Sequence, residues 1–179
     1  MPQEIIDFWF SDDVQKRWFK STPEFDGLLR ERFLGTWEQA SRGELDHWLQ
    51  SAEGCLALVI ILDQFPLNMF RDSAQSYATE ARSREVAHVA LEQDFDKSLA
   101  PEQRAFLYMP FMHSEALSDQ QLALQLFAQP GLEGSYRFAQ HHHGIIEKFG
   151  RFPHRNEALG RHNSATELEY LNSKEAFTG

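Results

Sequence analysis

Apolar residues recur along this chain at steps of three and four, the spacing that lines one face of a helix. Ile5, Phe8 and Trp9 make the first such set, in a short amphipathic segment from Glu4 to Phe10. Thr22 and Pro23 then read as an N-cap followed by proline in the first helical turn. Phe25, Leu28, Leu29, Phe33 and Trp37 carry the stripe onward until Gly43 closes it. Leu45, Trp48 and Leu49 fall in a short connection. The run CLALVIIL (Cys55 to Leu62) is apolar at every position and suits either a buried strand or a buried helix. No other segment alternates with period two, so a strand here would lack a partner. The pattern therefore predicts a central helix from Glu53 to Leu62, with Pro66 ending it, because the residue before a proline avoids the helical region.

Further on, Tyr77 to Phe95 reads as a long helix with Ala81, Val86, Val89 and Ala90 on or near one face. Pro101 opens the next helix, which carries Phe106, Leu107, Met109 and Phe111 and has Pro110 in its interior, a position that usually kinks a helix. Asp119 to Gln129 continues with Leu122, Leu126 and Phe127 and stops at Pro130-Gly131. Tyr136 to Phe149 precedes Gly150, and Thr166 to Leu171 makes a last short helix. The expected architecture is one all-α domain over residues 1–172, with residues 173–179 as a flexible tail.

With 179 residues, of which 42% are hydrophobic and 25% charged, the composition matches a folded globular chain and not a disordered one. The formal net charge of −10 argues against a general nucleic-acid binder, which needs a broad basic face. The eight-residue apolar run falls far short of the ~20 residues a membrane-spanning helix needs. The start, MPQEIIDFWF, lacks the basic stretch of a secretory signal. A cytoplasmic location, with no membrane partner, is the default expectation. Cys55, the one cysteine, sits in the apolar run and reads as a small core residue.

Against this acidic background, the stretch from His141 to His162 stands out. It holds five of the eight histidines, with Lys148, Arg151, Arg155 and Arg161 among them. Clustered titratable and cationic groups suit binding an anion or a metal, or moving a proton.

Three segments together carry a family resemblance: ILDQFPLNMFR (Ile61 to Arg71), FLYMPFMHSE (Phe106 to Glu115) and FAQHHHGIIEKFGRFPHRNEALGR (Phe138 to Arg161). With the FWF start, they resemble the bacterial family catalogued as domain of unknown function 924, over nearly the whole chain. The resemblance implies a tetratricopeptide-like array of antiparallel helix pairs, and it implies no activity. The 34-residue tetratricopeptide pattern itself does not appear in register. In the resemblance, His142 occupies the usual histidine position of its helix, and Lys148 stands where an arginine is usual.

Phe138, His142, Ile145 and Phe149 follow steps of four, three and four, which places His142 on an apolar face directed at the core. His141 and His143 fall roughly 100° to either side and are expected in solvent. The loop GRFPHRN (Gly150 to Asn156) should be extended and rigid, with Phe152 anchored in the core. Arg151, His154, Arg155 and Asn156 then present donors suited to a carboxylate or phosphate, or to acceptors of the chain itself. Asp63 and Gln64 end the most apolar helix, so Asp63 should be buried beside a cation, with Arg71, Arg151 and Arg155 the candidates. His113 and Glu115 follow Pro110.

If chemistry occurs, His142, His154 and Glu115 are the candidate acid–base groups. Arg71, His113, Arg151, Arg155 and Asn156 are the candidate ligand contacts, and Asp63 and Gln64 form a structural polar network. The three segments are expected to converge on one polar cluster. No metal spacing, nucleophile elbow, phosphate loop or dinucleotide fingerprint is present, so neither a metal nor a cofactor is expected. Two readings stay open: a site for a small anionic molecule, or a non-catalytic helical scaffold for a peptide or protein partner.

Overall fold

A computed structural model describes residues 1–177, and these form helices and short helical turns without any strand. The chain groups into two compact units, one of Met1–Arg71 with Gln75–Pro110, the other of Asp72–Ala74 with the residues from Phe111 on.

In the first unit, α1 (Pro2–Trp9) and α2 (Asp12–Gln15) precede the long α3 (Pro23–Ser41). Thr22 caps α3 as its position predicts: its hydroxyl accepts from the Phe25 N–H at 3.3 Å. Gly43 follows with φ of +76°, a left-handed conformation that only glycine adopts without strain. The central apolar run is helical. α4 (Ala52–Val59) passes through a π-helical turn at Ile60–Gln64 directly into α5 (Phe65–Met69).

Pro66 therefore does not end this helix. A proline removes the N–H that would bond the carbonyl four residues back, here Leu62. That carbonyl instead accepts the Thr79 hydroxyl at 2.6 Å, and Thr79 Oγ1 accepts the indole N–H of Trp37 at 3.1 Å. The freed acceptor is satisfied from elsewhere in the unit, so the helix runs on. Over Ala52–Met69 it is long and apolar enough to cross a membrane, yet 89% of that window is buried inside the protein, as in a core helix.

Around it, Trp9, Phe65 and Phe106 are fully buried, with ring centroids 5.5 Å (Trp9–Phe65) and 5.7 Å (Trp9–Phe106) apart. Offset and edge-on contacts of this kind suit the ring quadrupole. Cys55 is buried as expected, and burial pushes its thiol up to about 11. The expected Tyr77–Phe95 helix is shorter: α6 (Glu80–Glu92) is flanked by 3-10 turns at Ala74–Tyr77 and Phe95–Ser98. α7 (Pro101–Met112) keeps Pro110 inside its last turn.

The second unit contains α8 (Leu117–Phe127), α9 (Glu133–Phe149) and α10 (Ala165–Leu171). Gly150 ends α9 with φ of +71°. The loop GRFPHRN is only partly extended, because Pro153–Arg155 form a 3-10 turn, but Phe152 is fully buried, as its anchoring role requires. Ser164 and Glu167 close α10 with a reciprocal capping box. Of the tail expected at 173–179, residues 178 and 179 lie outside the described residues. Phe177 packs against the cluster of Ile145, Ile146 and Phe152.

Candidate functional site

In the second unit, the loop after α7, the inner face of α9 and the segment from Gly150 to Asn163 bring polar groups together. Glu115 is held on both oxygens. Arg161 Nη1 donates to Oε2 at 2.8 Å and Nη2 to Oε1 at 2.9 Å, while the Phe152 N–H donates to Oε1 at 2.8 Å. Burial raises the affinity of this carboxyl for a proton. The Arg161 and Phe152 donors outweigh burial and hold it below the ordinary carboxylate range.

Arg151 makes the same two-pronged contact with Glu167, at 2.7 and 2.8 Å, and also donates to the His162 carbonyl. That pairing pulls the Glu167 carboxyl down to about 2. Arg155 is buried and donates to the His113 carbonyl at 2.9 Å. Asn156, fully buried, donates to Asn163 Oδ1 at 2.7 Å and accepts from Arg161 Nε at 2.8 Å. These donors of the GRFPHRN loop thus bond acceptors of their own unit.

Three imidazoles lie among these groups. His142 is buried on α9 beside Ala139, Ile145 and Ile146. Its Nδ1 is 2.8 Å from the Phe138 carbonyl. A carbonyl only accepts, so Nδ1 carries the proton and Nε2 presents a lone pair. Burial, helped by His113 nearby, lowers His142 to about 3. His154 is lowered to about 4, by burial first and Arg155 second, and its Nδ1 is buried without a hydrogen-bond partner among the described residues. The His113 and His142 rings lie 6.3 Å apart. Both His142 and His154 are neutral at physiological pH.

The apolar stripe expected on this helix needs one correction. Phe138 is 59% exposed, and Ala139 and Ile146 take its place on the buried face. A helix turns roughly 100° per residue, so a step of four drifts away from the stripe that a step of three restores. His141 is exposed and His143 half-buried.

Asp63, Gln64 and Arg71 belong to the first unit, where they join one polar ladder. Gln64 Nε2 donates to Asp63 Oδ2 at 2.6 Å, and both residues are buried. Asn68 Nδ2 donates to the Gln64 carbonyl at 3.3 Å, and Asn68 Oδ1 accepts from Arg71 Nη2 at 3.2 Å. Arg71 also grips Asp26, Nε to Oδ2 at 2.9 Å, and Ser21 donates to Asp26 at 2.6 Å. The ladder opens into a cleft of about 520 Å3 lined by Ser21, Thr22, Pro23, Asp26, Arg30, Asn68 and Arg71. Arg30 donates from its guanidinium to the Met69 carbonyl beside the cleft.

Sequence reasoning did not single out Asp26, Arg30, Glu167 or Phe177. Glu167 carries a local signal, the Ser164-x-x-Glu167 capping spacing. Asp26 and Arg30 sit one helical turn apart on α3, but only the fold sets them beside Arg71.

Among the described residues, no group of three or more His, Cys, Asp or Glu is arranged to hold a metal ion. Residues 5–175 match the family described as "Bacterial protein of unknown function (DUF924)". The chain is also similar to a solved protein of unknown function from Agrobacterium tumefaciens, at 40% identity over 96% of both chains, with a TM-score of 0.90. No curated protein matches it.

Proposed function

We propose a role for this chain, which belongs to the bacterial family of unknown function DUF924: it is a helical binding protein whose first unit takes a small anionic molecule. The cleft at Arg30 and Arg71 carries the proposal. Its volume of about 520 Å3 falls within the ~300–1,000 Å3 of small-molecule sites. Its donors are two guanidiniums, the Asn68 amide and the Thr22 hydroxyl, at the N-terminal end of α3. A helix N-terminus favours negative charge, and guanidinium forks match carboxylate and phosphate oxygens. Asp26 holds Arg71 in place and leaves the cleft lined by two guanidiniums and one carboxylate.

The polar network of the second unit has a structural part in this reading, because Arg151 and Arg161 are paired with Glu167 and Glu115. The stacked helix-pair arrangement of tetratricopeptide proteins and a cytoplasmic location belong to the same proposal.

A thermal-shift titration with inorganic phosphate and citrate tests it. A ligand at one hundred times its Kd adds about 2.7 kcal/mol of stability, so a saturable rise in Tm is expected. Arg71→Gln and Arg30→Gln should abolish that rise, and His141→Ala should leave it. Equal responses in all four proteins would sink the reading.

A non-catalytic scaffold for a peptide or protein partner is the second reading. Phe19, 77% exposed, and Leu28, 40% exposed beside a groove with Val14 and Phe25, favour it. On that reading, Phe19→Ser abolishes partner capture and leaves the anion response intact.

A further inference from the structure

We infer that Phe177 is a movable cover seated on an imidazole-walled pocket, and that this pocket takes a planar phenol-like ring carrying a hydrogen-bond donor. The inference concerns the second unit alone and does not rest on the anion cleft.

The Phe177 ring stands edge-on to three imidazoles. Its centroid is 4.7 Å from His142, 5.0 Å from His154 and 6.0 Å from His141. Phe152 forms the floor, 5.5 Å from His142 and 5.7 Å from His154. Ile145 and Ile146 give this ring the aliphatic contacts any core phenyl has, but it also meets imidazole rings whose nitrogens it cannot satisfy. The His142 tautomer leaves Nε2 as an acceptor, and His154 Nδ1 is buried with no partner among the described residues. A buried polar atom without a partner, such as His154 Nδ1, is uncommon and points to a missing group. A ring of the same shape with one hydroxyl supplies a donor that Phe177 lacks. Burial keeps both imidazoles neutral, so each ring has one nitrogen able to accept.

Phe177 is also lightly held. It is half-buried, residues 172–175 that lead to it from α10 are exposed, and its backbone N–H is fastened by one bond to the Tyr170 hydroxyl at 2.9 Å. Breaking that bond and swinging a short exposed segment uncovers the pocket without disturbing a helix.

The test uses the full chain, Phe177→Ala and Phe177→Tyr, with phenol as probe and benzene as its donor-free control. Histidine side-chain resonances and Tm are the readouts. Phe177→Ala should keep its helical circular dichroism and bind phenol at least tenfold more tightly than the native chain, shifting the His142 and His154 resonances. Benzene should bind it more weakly than phenol. Phe177→Tyr, which supplies the hydroxyl from the cover itself, should melt at or above the native Tm. Equal phenol binding by the native chain and Phe177→Ala removes the cover. Equal binding of phenol and benzene removes the ligand class. A Phe177→Ala chain that does not fold, or a Phe177→Tyr chain that melts lower, makes Phe177 an ordinary core residue and overturns the proposal.

Discussion

Glu115 illustrates how much geometry decides the value of a charge. Its two oxygens meet both prongs of Arg161 and a backbone N–H, and the two side chains are 28% and 23% exposed. Lys16 and Asp13 also form an ion pair, at 3.2 Å, but their side chains are 73% and 94% exposed. Two-pronged, partly desolvated contacts hold their partners far more firmly than solvated ones. Glu115→Gln should therefore destabilise the protein by about 2 kcal/mol, while Lys16→Ala should stay within about 0.5 kcal/mol. Urea denaturation measures both, and similar midpoints for the two variants would contradict the contrast.

Arg151, Arg155 and Asn156 were legible in GRFPHRN as a loop rich in guanidinium and amide groups, and Glu115 was legible as a candidate residue, though its partner Arg161 lies beyond that loop. The acceptor of Arg151 was not legible. Glu167 is distant in sequence, and its spacing to Ser164 reports a helix cap and says nothing of Arg151. Phe177 offered no signal either, because a lone aromatic beyond the last helical stripe has no period to read.

At the scale of helices, the readable features were those that depend on near neighbours. Thr22 before Pro23 and the left-handed Gly43 each act within a few residues, and both lie where local rules place them. Pro66 broke its rule because its remedy lies far along the chain, in the hydroxyl of Thr79. Thr79→Val keeps the shape and removes that hydroxyl, orphaning the Leu62 carbonyl and the Trp37 N–H together. A loss of about 2–3 kcal/mol is expected, and Thr79→Ser should recover most of it. Equal midpoints for the valine and serine variants would show that the hydroxyl does not support the helix.

Glycines make a second contrast. A Cβ at Gly54 in α4 would stand 1.9 Å from the Trp48 carbonyl oxygen, whereas one at Gly27 in α3 meets nothing within 4 Å. Gly54→Ala should cost about 3 kcal/mol or more through backbone displacement. Gly27→Ala should stabilise by about 0.5–1 kcal/mol through helix propensity. Thermal melts of the two variants should move in opposite directions.

For the whole molecule, acid is the revealing perturbation. His142 and His154 take up protons near 6.5 when unfolded but only at about 3 and about 4 when folded. The unfolded chain therefore binds more protons as pH falls, so this stability is complete above pH 6.5 and drains away below it. At pH 5 each imidazole should account for about 2 kcal/mol of the loss, at ~1.4 kcal/mol per pH unit. Glu167, held at about 2 against an ordinary 4.5, adds a further loss below pH 4.5. The His142→Phe chain should lose less stability between pH 7 and pH 5 than the native chain, as read from Tm across that range. Parallel pH profiles would mean that His142 is not buried neutral.

The π-helical turn at Ile60–Gln64 has a bearing on how this chain tolerates changes in length. Such a turn contains one residue more than an α-turn requires. Excising a single residue there would leave an unbroken helix, which most deletions in a buried segment would not. The extra residue lies within the wide turn itself, so losing it would close an α-turn and keep the flanking residues on their present faces. Phe65 and Met69 would stay on the face they now bury, whereas a deletion within α4 itself would turn them off it by roughly 100°. The wide turn is thus slack in the buried helix, a place where a residue can be lost with the core left in step.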